Sequence, residues 1–69
     1  MLKEVIQNVI ETGQTSATYI QKKFNLSFEE SKIIINKMEE MKIISNIQDG
    51  KPRQVLVNQE QWEELKKKL

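Results

Sequence analysis

The chain has 69 residues, with eleven lysines and arginines against ten aspartates and glutamates, which gives a net charge of +1. A chain of this length forms one small domain with a single core and has little room for an enclosed active site. It contains no cysteine and no histidine, which excludes disulfides and removes both the commonest metal ligand and the usual neutral-pH general base. We therefore expect one domain over residues 1–69 that is not an enzyme and holds no metal or cofactor.

The first predicted element is a helix from Met1 to Thr12. Its apolar residues recur every three or four positions, as on one face of a helix. They are Leu2, Val5, Ile6, Val9 and Ile10. Gly13 follows at the position where a left-handed residue commonly ends a helix. We expect the apolar face to pack in the core.

A polar connector, residues 14–16, leads to a shorter helix near Ala17 to Phe24. The connector could add a strand of two or three residues, and Thr15 or Ser16 can cap the helix. The side chains expected to be buried are Tyr19 or Ile20 together with Phe24, and those expected to be exposed are Gln21, Lys22 and Lys23.

The longest predicted helix runs from Ser27 to Lys42, after a short turn in which Leu26 points inward. Ser27 at the N-cap and Glu30 three residues later match a capping box. The expected apolar face consists of Phe28, Ile34, Ile35, Met38 and Met41, and the expected outward face of Glu29, Glu30, Ile33, Asn36, Lys37 and Glu40. A short helix, a tight turn and a longer helix are typical of a helix-turn-helix. The third helix is therefore the candidate recognition helix.

A β-hairpin is predicted after the third helix. The first strand spans Ile43 to about Gln48, where β-branched residues are frequent, and the second spans Arg53 to Val57. Val55 and Val57 are expected on one side and Leu56 on the other. Asp49-Gly50 lies between the strands and is a strong hairpin-turn signal. Because an isolated two-stranded hairpin is only marginally stable, we expect it to pack on the helices.

A final helix is predicted from Gln59 to Leu69, with Asn58 as its N-cap and Gln61 completing a second capping box. Trp62, Leu65 and Leu69 share one face, and Trp62 is expected in the core or at a dimer seam. The order of elements predicts an α+β, mainly α fold. It is that of a winged helix-turn-helix with a three-helix core, a two-stranded wing and an extra C-terminal helix.

Neither a membrane span nor a signal peptide is expected. No apolar run approaches the roughly 20 residues that a membrane-spanning helix needs, and the N-terminus lacks a basic and then apolar leader. We expect a cytoplasmic location and no membrane partner.

Several short segments resemble one known family. The most specific is residues 50–56, G-K-P-R-Q-V-L, which is close to the wing sequence G-S-K-P-R-E-V-L of the gamma domain of FtsK/SpoIIIE-type DNA translocases. The other matching segments, in order, are residues 21–26, Phe28 where the family usually has tyrosine, Met38-Glu39, Ile43-Ile44 and residues 58–65. The resemblance covers about Thr15 to Leu65.

The resemblance implies a winged-helix domain that binds double-stranded DNA, with several copies acting on one site. In that family the motor ATPase is a separate domain. This chain has no G-x-x-x-x-G-K-[ST] phosphate loop, so it is not a motor by itself.

The start of the third helix departs from the family where bases are contacted. Family members resemble G-Y-[NT]-R-A-A-R there, whereas residues 27–33 of this chain read S-F-E-E-S-K-I. Glu30 and Ile33 replace the two arginines, and Glu29 replaces the asparagine or threonine. Arginine pairs bidentately with guanine, which glutamate cannot do. The family's target sequence is therefore not expected to apply.

The sequence leads to two hypotheses for function. The first is a domain that binds double-stranded DNA with an altered base preference. Its groove contacts would be Glu29, Lys32, Ile33, Asn36 and Lys37, and its phosphate and wing contacts would be Lys22, Lys23, Lys51 and Arg53. The alternative is a protein-interaction or dimerisation domain that uses the recognition face or the Trp62 helix and does not read DNA sequence.

The same residues have structural explanations that the sequence leaves open. Glu29 and Glu30 suit the positive start of a helix, or could accept hydrogen bonds from cytosine amino groups. Ile33 is either an ordinary exposed isoleucine, a contact for thymine methyl groups or an anchor for a protein partner. The lysines could form only a solvated face.

Overall fold

The computed structural model describes residues 1–47 and 50–68, so Gln48, Asp49 and Leu69 lie outside the described residues. Within these residues the chain forms four helices: α1 (Leu2–Thr12), α2 (Ala17–Phe24), α3 (Phe28–Glu40) and α4 (Gln59–Lys66). The predicted helices are confirmed, although α3 ends before Lys42 and α4 before the predicted end of the last helix. No helix in the described part of the chain is long and apolar enough to cross a membrane.

Helix α1 places its predicted apolar face in the core. Val5, Ile6 and Val9 are fully buried, and Leu2 and Ile10 are half-buried against them. Gly13 adopts a left-handed conformation with φ 75° and donates its N–H to the carbonyl of Val9 at 2.8 Å. It ends α1 as expected.

Helix α2 begins at a serine cap and buries one isoleucine. The Ser16 hydroxyl accepts a hydrogen bond from the Tyr19 N–H at 3.4 Å, which selects Ser16 over Thr15 as the cap. Ile20 is fully buried, whereas Tyr19 and Phe24 are half-buried. Gln21 was expected to be exposed but is half-buried; Lys22 and Lys23 are exposed as expected.

The connector before α2 does not form the short strand that the sequence allowed. Thr15 instead uses its side chain, and the hydroxyl donates to the Arg53 carbonyl at 3.2 Å. Thr15 is only 9% exposed. One side-chain hydrogen bond therefore replaces strand pairing between the connector and residues near Arg53.

The capping box at the start of α3 is present in both directions. The Glu30 N–H donates to the Ser27 hydroxyl at 3.1 Å, and the Ser27 N–H donates to the Glu30 carboxylate at 3.0 Å. Ile35 and Met38 are buried as expected. Ser31 is also fully buried, because it is small and its hydroxyl is satisfied by the Phe28 carbonyl at 2.7 Å. The side of α3 around Ser31 therefore belongs to the core.

Phe28 is a correction to the predicted core face. Its direction around the helix axis is close to that of Ile35, seven residues later, but 57% of the residue is exposed. Phe28 is the first residue of α3, and the neighbouring elements do not cover that end of the helix. The phenyl ring therefore lies at the surface.

Helix α3 ends without a glycine. Lys42 takes the left-handed conformation, with φ 64°, that glycine usually supplies at this position. The Lys42 N–H donates to the Glu39 carbonyl at 3.0 Å, and the Ile43 N–H donates to the Met38 carbonyl at 2.9 Å. These bonds satisfy the last carbonyls of α3 and turn the chain so that Ile43 enters the core.

The predicted hairpin is reduced to a short antiparallel contact. Ile44 and Val55 form an isolated bridge, and the Ser45 N–H donates to the Gln54 carbonyl at 2.9 Å. The Ser45 hydroxyl accepts a hydrogen bond from the Gln54 N–H at 2.9 Å. A side-chain oxygen therefore takes the place of a backbone carbonyl in one hydrogen bond between the two predicted strands. Neither predicted strand is continuous within the described residues, and the predicted Asp49-Gly50 turn lies partly outside them.

The side chains around this short contact nevertheless point in the predicted directions. Ile43 and Ile44 are in the core, and Val55 and Val57 are half-buried against it. Leu56 points the other way and is 49% exposed. We call residues 43–47 and 50–57 the post-α3 segment.

Helix α4 closes the core with a tryptophan. Asn58 and Gln61 form the second predicted capping box, with both hydrogen bonds at 2.8 Å. Trp62 is 1% exposed, which confirms it as a core residue. The side-chain amides of Gln7 and Gln59 exchange hydrogen bonds of 2.7 and 3.1 Å and join α1 to α4.

Candidate nucleic-acid interface

The outward side of α3 is an open, mixed surface. We define the outer face as Glu29, Lys32, Ile33, Asn36, Lys37 and Glu40, all of which are exposed. Ile33 is 67% exposed, which confirms that it points away from the core. A shallow depression of about 220 Å³ brings four of these residues together with Phe28. They are Glu29, Lys32, Ile33 and Asn36.

Lys32 and Phe28 interact at the start of this face. The Lys32 ammonium lies 5.4 Å from the centroid of the Phe28 ring, within the range of a cation–π contact. The two residues are four positions apart and therefore lie one above the other on the helix. The contact holds the ammonium at the edge of α3 that faces the post-α3 segment.

A groove of about 480 Å³ separates α3 from the post-α3 segment. Lys32, Asn36 and Phe28 line the α3 side. Lys51 and Pro52 line the opposite side. The remaining lining residues are Thr15, Ser16, Ala17, Ile35, Ile47 and Arg53. The groove therefore brings four predicted site residues together: Lys32, Asn36, Lys51 and Arg53.

Arg53 is held inside the domain by two acceptors. One guanidinium nitrogen, Nη1, lies 3.0 Å from the Glu39 carboxylate and 2.9 Å from the Ser45 carbonyl. The Arg53 side chain is 12% exposed. Its position orients the post-α3 segment against α3, and the phosphate contact expected for it stays a prediction.

The two lysines of α2 lie away from the groove. Lys22 and Lys23 are in the last turn of α2, whereas the residues that line the groove, Ser16 and Ala17, are at its start. The rise of an α-helix separates Ala17 from Lys22 by about 8 Å along the axis. The predicted basic band is therefore divided into a groove part and an α2 part.

Carboxylates share the start of α3 with these cations. Hydrogen bonds from the Ser27 backbone N–H, and then from its hydroxyl, hold the pKa of Glu30 below its ordinary value of 4.5. Glu30 is thus committed to the cap as an anion. Glu29 is exposed beside it and repels any phosphate that approaches the helix start.

The sequence did not identify three surface residues of this region. Helical periodicity places Phe28 in the core, and the sequence assigns Ile47 and Pro52 only to the strand and the turn. Ile47 is 73% exposed and lines the groove with Pro52. One feature of the sequence indicates that Phe28 is exposed. It follows the N-cap directly and is therefore the first residue of the helix, where neighbouring elements cover side chains less completely.

The exposed side chains of this region can form ion pairs, hydrogen bonds and apolar contacts. The chain contains no histidine or cysteine, and no group of three potential metal ligands is found in residues 1–47 and 50–68. The region offers lysine ammonium groups, the exposed side-chain amide of Asn36 and exposed apolar side chains. Such a set suits phosphates, base edges or an apolar partner surface.

Comparisons with known proteins identify one family. The family model of the Ftsk gamma domain matches residues 1–58. The chain is 43% identical over 56 residues to the DNA translocase FtsK of Pasteurella multocida, covering 81% of this chain and 6% of that protein. The chain is 39% identical over 62 residues to the DNA translocase FtsK of Haemophilus influenzae, covering 90% of this chain and 12% of that protein.

A relative of lower sequence identity carries the same protein name. The chain is 29% identical over 65 residues to the DNA translocase FtsK of Caldanaerobacter subterraneus, covering 94% of this chain and 9% of that protein. This chain thus spans between 6% and 12% of the length of these three relatives. A comparison with solved structures finds no significant match. Since the family model covers everything from α1 to the cap of α4, the chain belongs to the FtsK gamma domain family.

Proposed function

We propose that this domain binds double-stranded DNA as a winged helix, with α3 in the major groove and the post-α3 segment as the wing. The observation that carries the proposal is the uncovered outer face of α3, flanked by Lys51 across the groove. A helix of this kind fits the major groove of B-DNA, and flanking cations fit the phosphates on either side. Binding chromosomal DNA would place the domain in the cytoplasm.

Phosphate contacts would come from several elements. Lys51 is exposed on the wing side of the groove, and Lys32 and Lys37 are exposed on α3. The first turn of α2 borders the same groove, and backbone N–H groups at a helix start favour anions. Lys22 and Lys23 would contact a more distant stretch of backbone, because they lie at the other end of α2.

The base preference would differ from that of arginine-bearing family members. The outer face carries Glu29 and Ile33 and no arginine. Bidentate recognition of guanine by arginine is therefore not available from α3. Affinity would depend on a few phosphate contacts, because the net charge is only +1.

A duplex titration tests the proposal. Fluorescence anisotropy of labelled duplexes, measured at low and moderate salt, should show binding that weakens as salt rises. Lys51→Ala should flatten the plot of log affinity against log salt by about one unit, as expected for one lost phosphate contact. Lys67→Ala is the matched control, because Lys67 lies after α4 and contacts Glu64 at 3.5 Å. The absence of binding to any duplex at low salt would overturn the proposal.

A second candidate function has its own observation. Phe28 and Ile33 are 57% and 67% exposed and line the same shallow depression, and exposed apolar groups of this kind also suit a protein partner. This alternative is a protein-interaction or dimerisation domain. Sedimentation of the isolated chain would favour it if the mass rose with concentration and Ile33→Ala prevented the rise. A monomer at all concentrations would contradict the dimerisation form of it.

A further inference from the structure

The outer face of α3 points to a class of DNA target. We propose that α3 selects duplexes with adenine–thymine pairs, with Ile33 contacting thymine C5-methyl groups and Asn36 pairing with adenine. The inference rests on the proposed function, since it requires α3 to enter the major groove. It concerns which base pairs are preferred there and not whether DNA is bound.

Ile33 provides the apolar part of the argument. It is 67% exposed and sits between Glu29 and Asn36 in the depression on the outer face. The major-groove edges of the four bases display hydrogen-bonding groups, and the C5-methyl of thymine is the apolar group among them. An isoleucine that enters this groove gains the most apolar contact area next to the thymine methyl group. Next to a cytosine or guanine edge it leaves polar groups without water.

Asn36 provides the hydrogen-bonding part. It is exposed and follows Ile33 by three positions, so the two side chains are neighbours on the helix surface. The side-chain hydrogen bonds of α3 that the structure describes involve Ser27, Glu30, Ser31 and Glu39. The Asn36 amide is not among these groups and is available to a ligand.

The geometry of an asparagine amide suits one base. Its carbonyl and NH₂ groups can bond simultaneously to N6 and N7 of adenine. Adenine presents these atoms in the same groove in which its partner thymine presents the methyl group. Asn36 and Ile33 can therefore contact one A·T pair or two adjacent pairs.

The residues around this pair disfavour guanine. Guanine presents two acceptors, O6 and N7, which arginine or lysine recognises. Glu29 is an acceptor and repels them. Lys32 is drawn toward the Phe28 ring at 5.4 Å and so is pulled away from the centre of the face. Both effects disfavour a guanine placed next to Glu29 and Lys32.

Modified duplexes test each contact separately. Uracil in place of thymine removes the C5-methyl and keeps the pairing, and should weaken binding about threefold to fourfold for each buried methyl. Replacing adenine by 7-deazaadenine removes the N7 acceptor and should weaken binding by about fivefold or more. A duplex of G·C pairs with the same length should bind more weakly than the A·T duplex.

Two variants assign the contacts to residues. Ile33→Ala should bind the thymine and uracil duplexes equally, while keeping its sensitivity to 7-deazaadenine. Asn36→Ala should show the opposite pattern. Both changes place alanine on an exposed helix surface, where it favours the helix, and circular dichroism would verify folding. Gln14→Ala is a matched control outside α3 and the post-α3 segment, because it removes an exposed amide, and it should keep both sensitivities.

The outcomes separate this inference from the proposed function. Binding that is equal for thymine, uracil and G·C duplexes, or stronger for G·C, would overturn the A·T preference and leave DNA binding intact. Sensitivities that persist in Ile33→Ala and Asn36→Ala would overturn the assignment to these residues. Failure of every duplex to bind at low salt would overturn both proposals.

Discussion

Arg53 and Glu39 form an ion pair that ties the post-α3 segment to the third helix. Their Nη1 and Oε2 atoms are 3.0 Å apart, and the same nitrogen donates to the Ser45 carbonyl at 2.9 Å. The two side chains are 12% and 33% exposed, so water screens the pair only in part. The pair fixes where Lys51, two residues earlier, lies relative to α3.

Arg53→Ala should destabilise the domain. It removes two hydrogen bonds and leaves the Ser45 carbonyl and the Glu39 carboxylate without this donor, which costs about 1–3 kcal/mol. Urea denaturation of both proteins would measure the loss in the free energy of unfolding. Lys67→Ala, which removes an exposed cation, should cost far less. Equal stability of Arg53→Ala and the original chain would show that the pair does not hold the segment.

Lys51 and Arg53 should differ in their effect on DNA binding. Lys51→Ala should reduce the salt dependence of binding by about one phosphate contact and leave the unfolding midpoint almost unchanged. Arg53→Lys keeps a positive charge and should change the salt dependence little, while losing stability. Salt titrations combined with thermal unfolding would separate the two roles. A larger change of salt slope for Arg53→Ala than for Lys51→Ala would assign the phosphate contact to Arg53 instead.

Glu29→Gln should strengthen DNA binding. It removes a carboxylate from the second residue of α3, where it repels phosphates and guanine acceptors, and affinity for any duplex should rise at low salt. Glu60→Gln is a matched control, because Glu60 is the second residue of α4. Anisotropy titrations of the three proteins would be compared. Unchanged or weaker binding by Glu29→Gln would indicate that Glu29 accepts a hydrogen bond from the bases.

The capping box of α3 should give the domain an acid-sensitive component of stability. Because the pKa of Glu30 is lower in the folded state than its ordinary value of 4.5, its contribution is complete above pH 4.5. It is lost as the pH falls through the folded-state pKa. Glu30→Gln should remove this component. The change suits the site, since Gln61 already occupies the same position in the second capping box.

Thermal unfolding between about pH 6 and pH 3 would test this. The midpoint of the original chain should fall more steeply below pH 4.5 than that of Glu30→Gln. Glu63 also has a pKa below 4.5, held there chiefly by the hydrogen bond from Lys66 and then by that from Gln59. It is present in both proteins and cancels in the comparison. Parallel curves would contradict the role of Glu30.

Lys42→Gly should stabilise the domain. Lys42 has φ 64°, a conformation that costs a side-chain-bearing residue roughly 1–2 kcal/mol and glycine almost nothing. Glycine also loses more conformational entropy on folding than lysine, which offsets part of this gain. The free energy of unfolding should therefore rise by about 0.5–1 kcal/mol. Gly13→Ala is the reciprocal control. Gly13 has φ 75° and open space around the added methyl, so Gly13→Ala should lose stability through backbone strain alone. A Lys42→Gly variant that is less stable than the original chain would contradict this explanation.

The helices could be predicted because their signals are local. Capping residues such as Ser27 and Asn58 act within three positions of the helix start, and the stripe of α1 repeats at helical spacing. Phe28 could not be placed in the same way. Periodicity gives the direction of a side chain around the helix axis, but not whether a neighbouring element covers that end of the helix. Ser31 was missed for the complementary reason, since a hydroxyl bonded to its own helix can be buried.

The exposure of the candidate residues on α3 was predictable from the sequence, whereas the way the structure arranges the candidate residues of different elements was less so. Exposure of Ile33 and Asn36 follows from the helical period. The ion pair of Arg53 depends on Glu39, fourteen positions away, and no local pattern reports such a contact. The separation of Lys22 from the groove likewise depends on how α2 packs against α3, which composition and spacing do not determine.

Chemical-shift mapping by NMR is the most direct test of the central claim, which is that α3 and the segment around Lys51 together contact a duplex. On addition of an A·T-containing duplex at low salt, backbone amide signals of the outer face of α3 and of residues 50–54 should shift, and those of α4 should not. Shifts confined to α1 and α4, or no shifts at any duplex concentration, would contradict it.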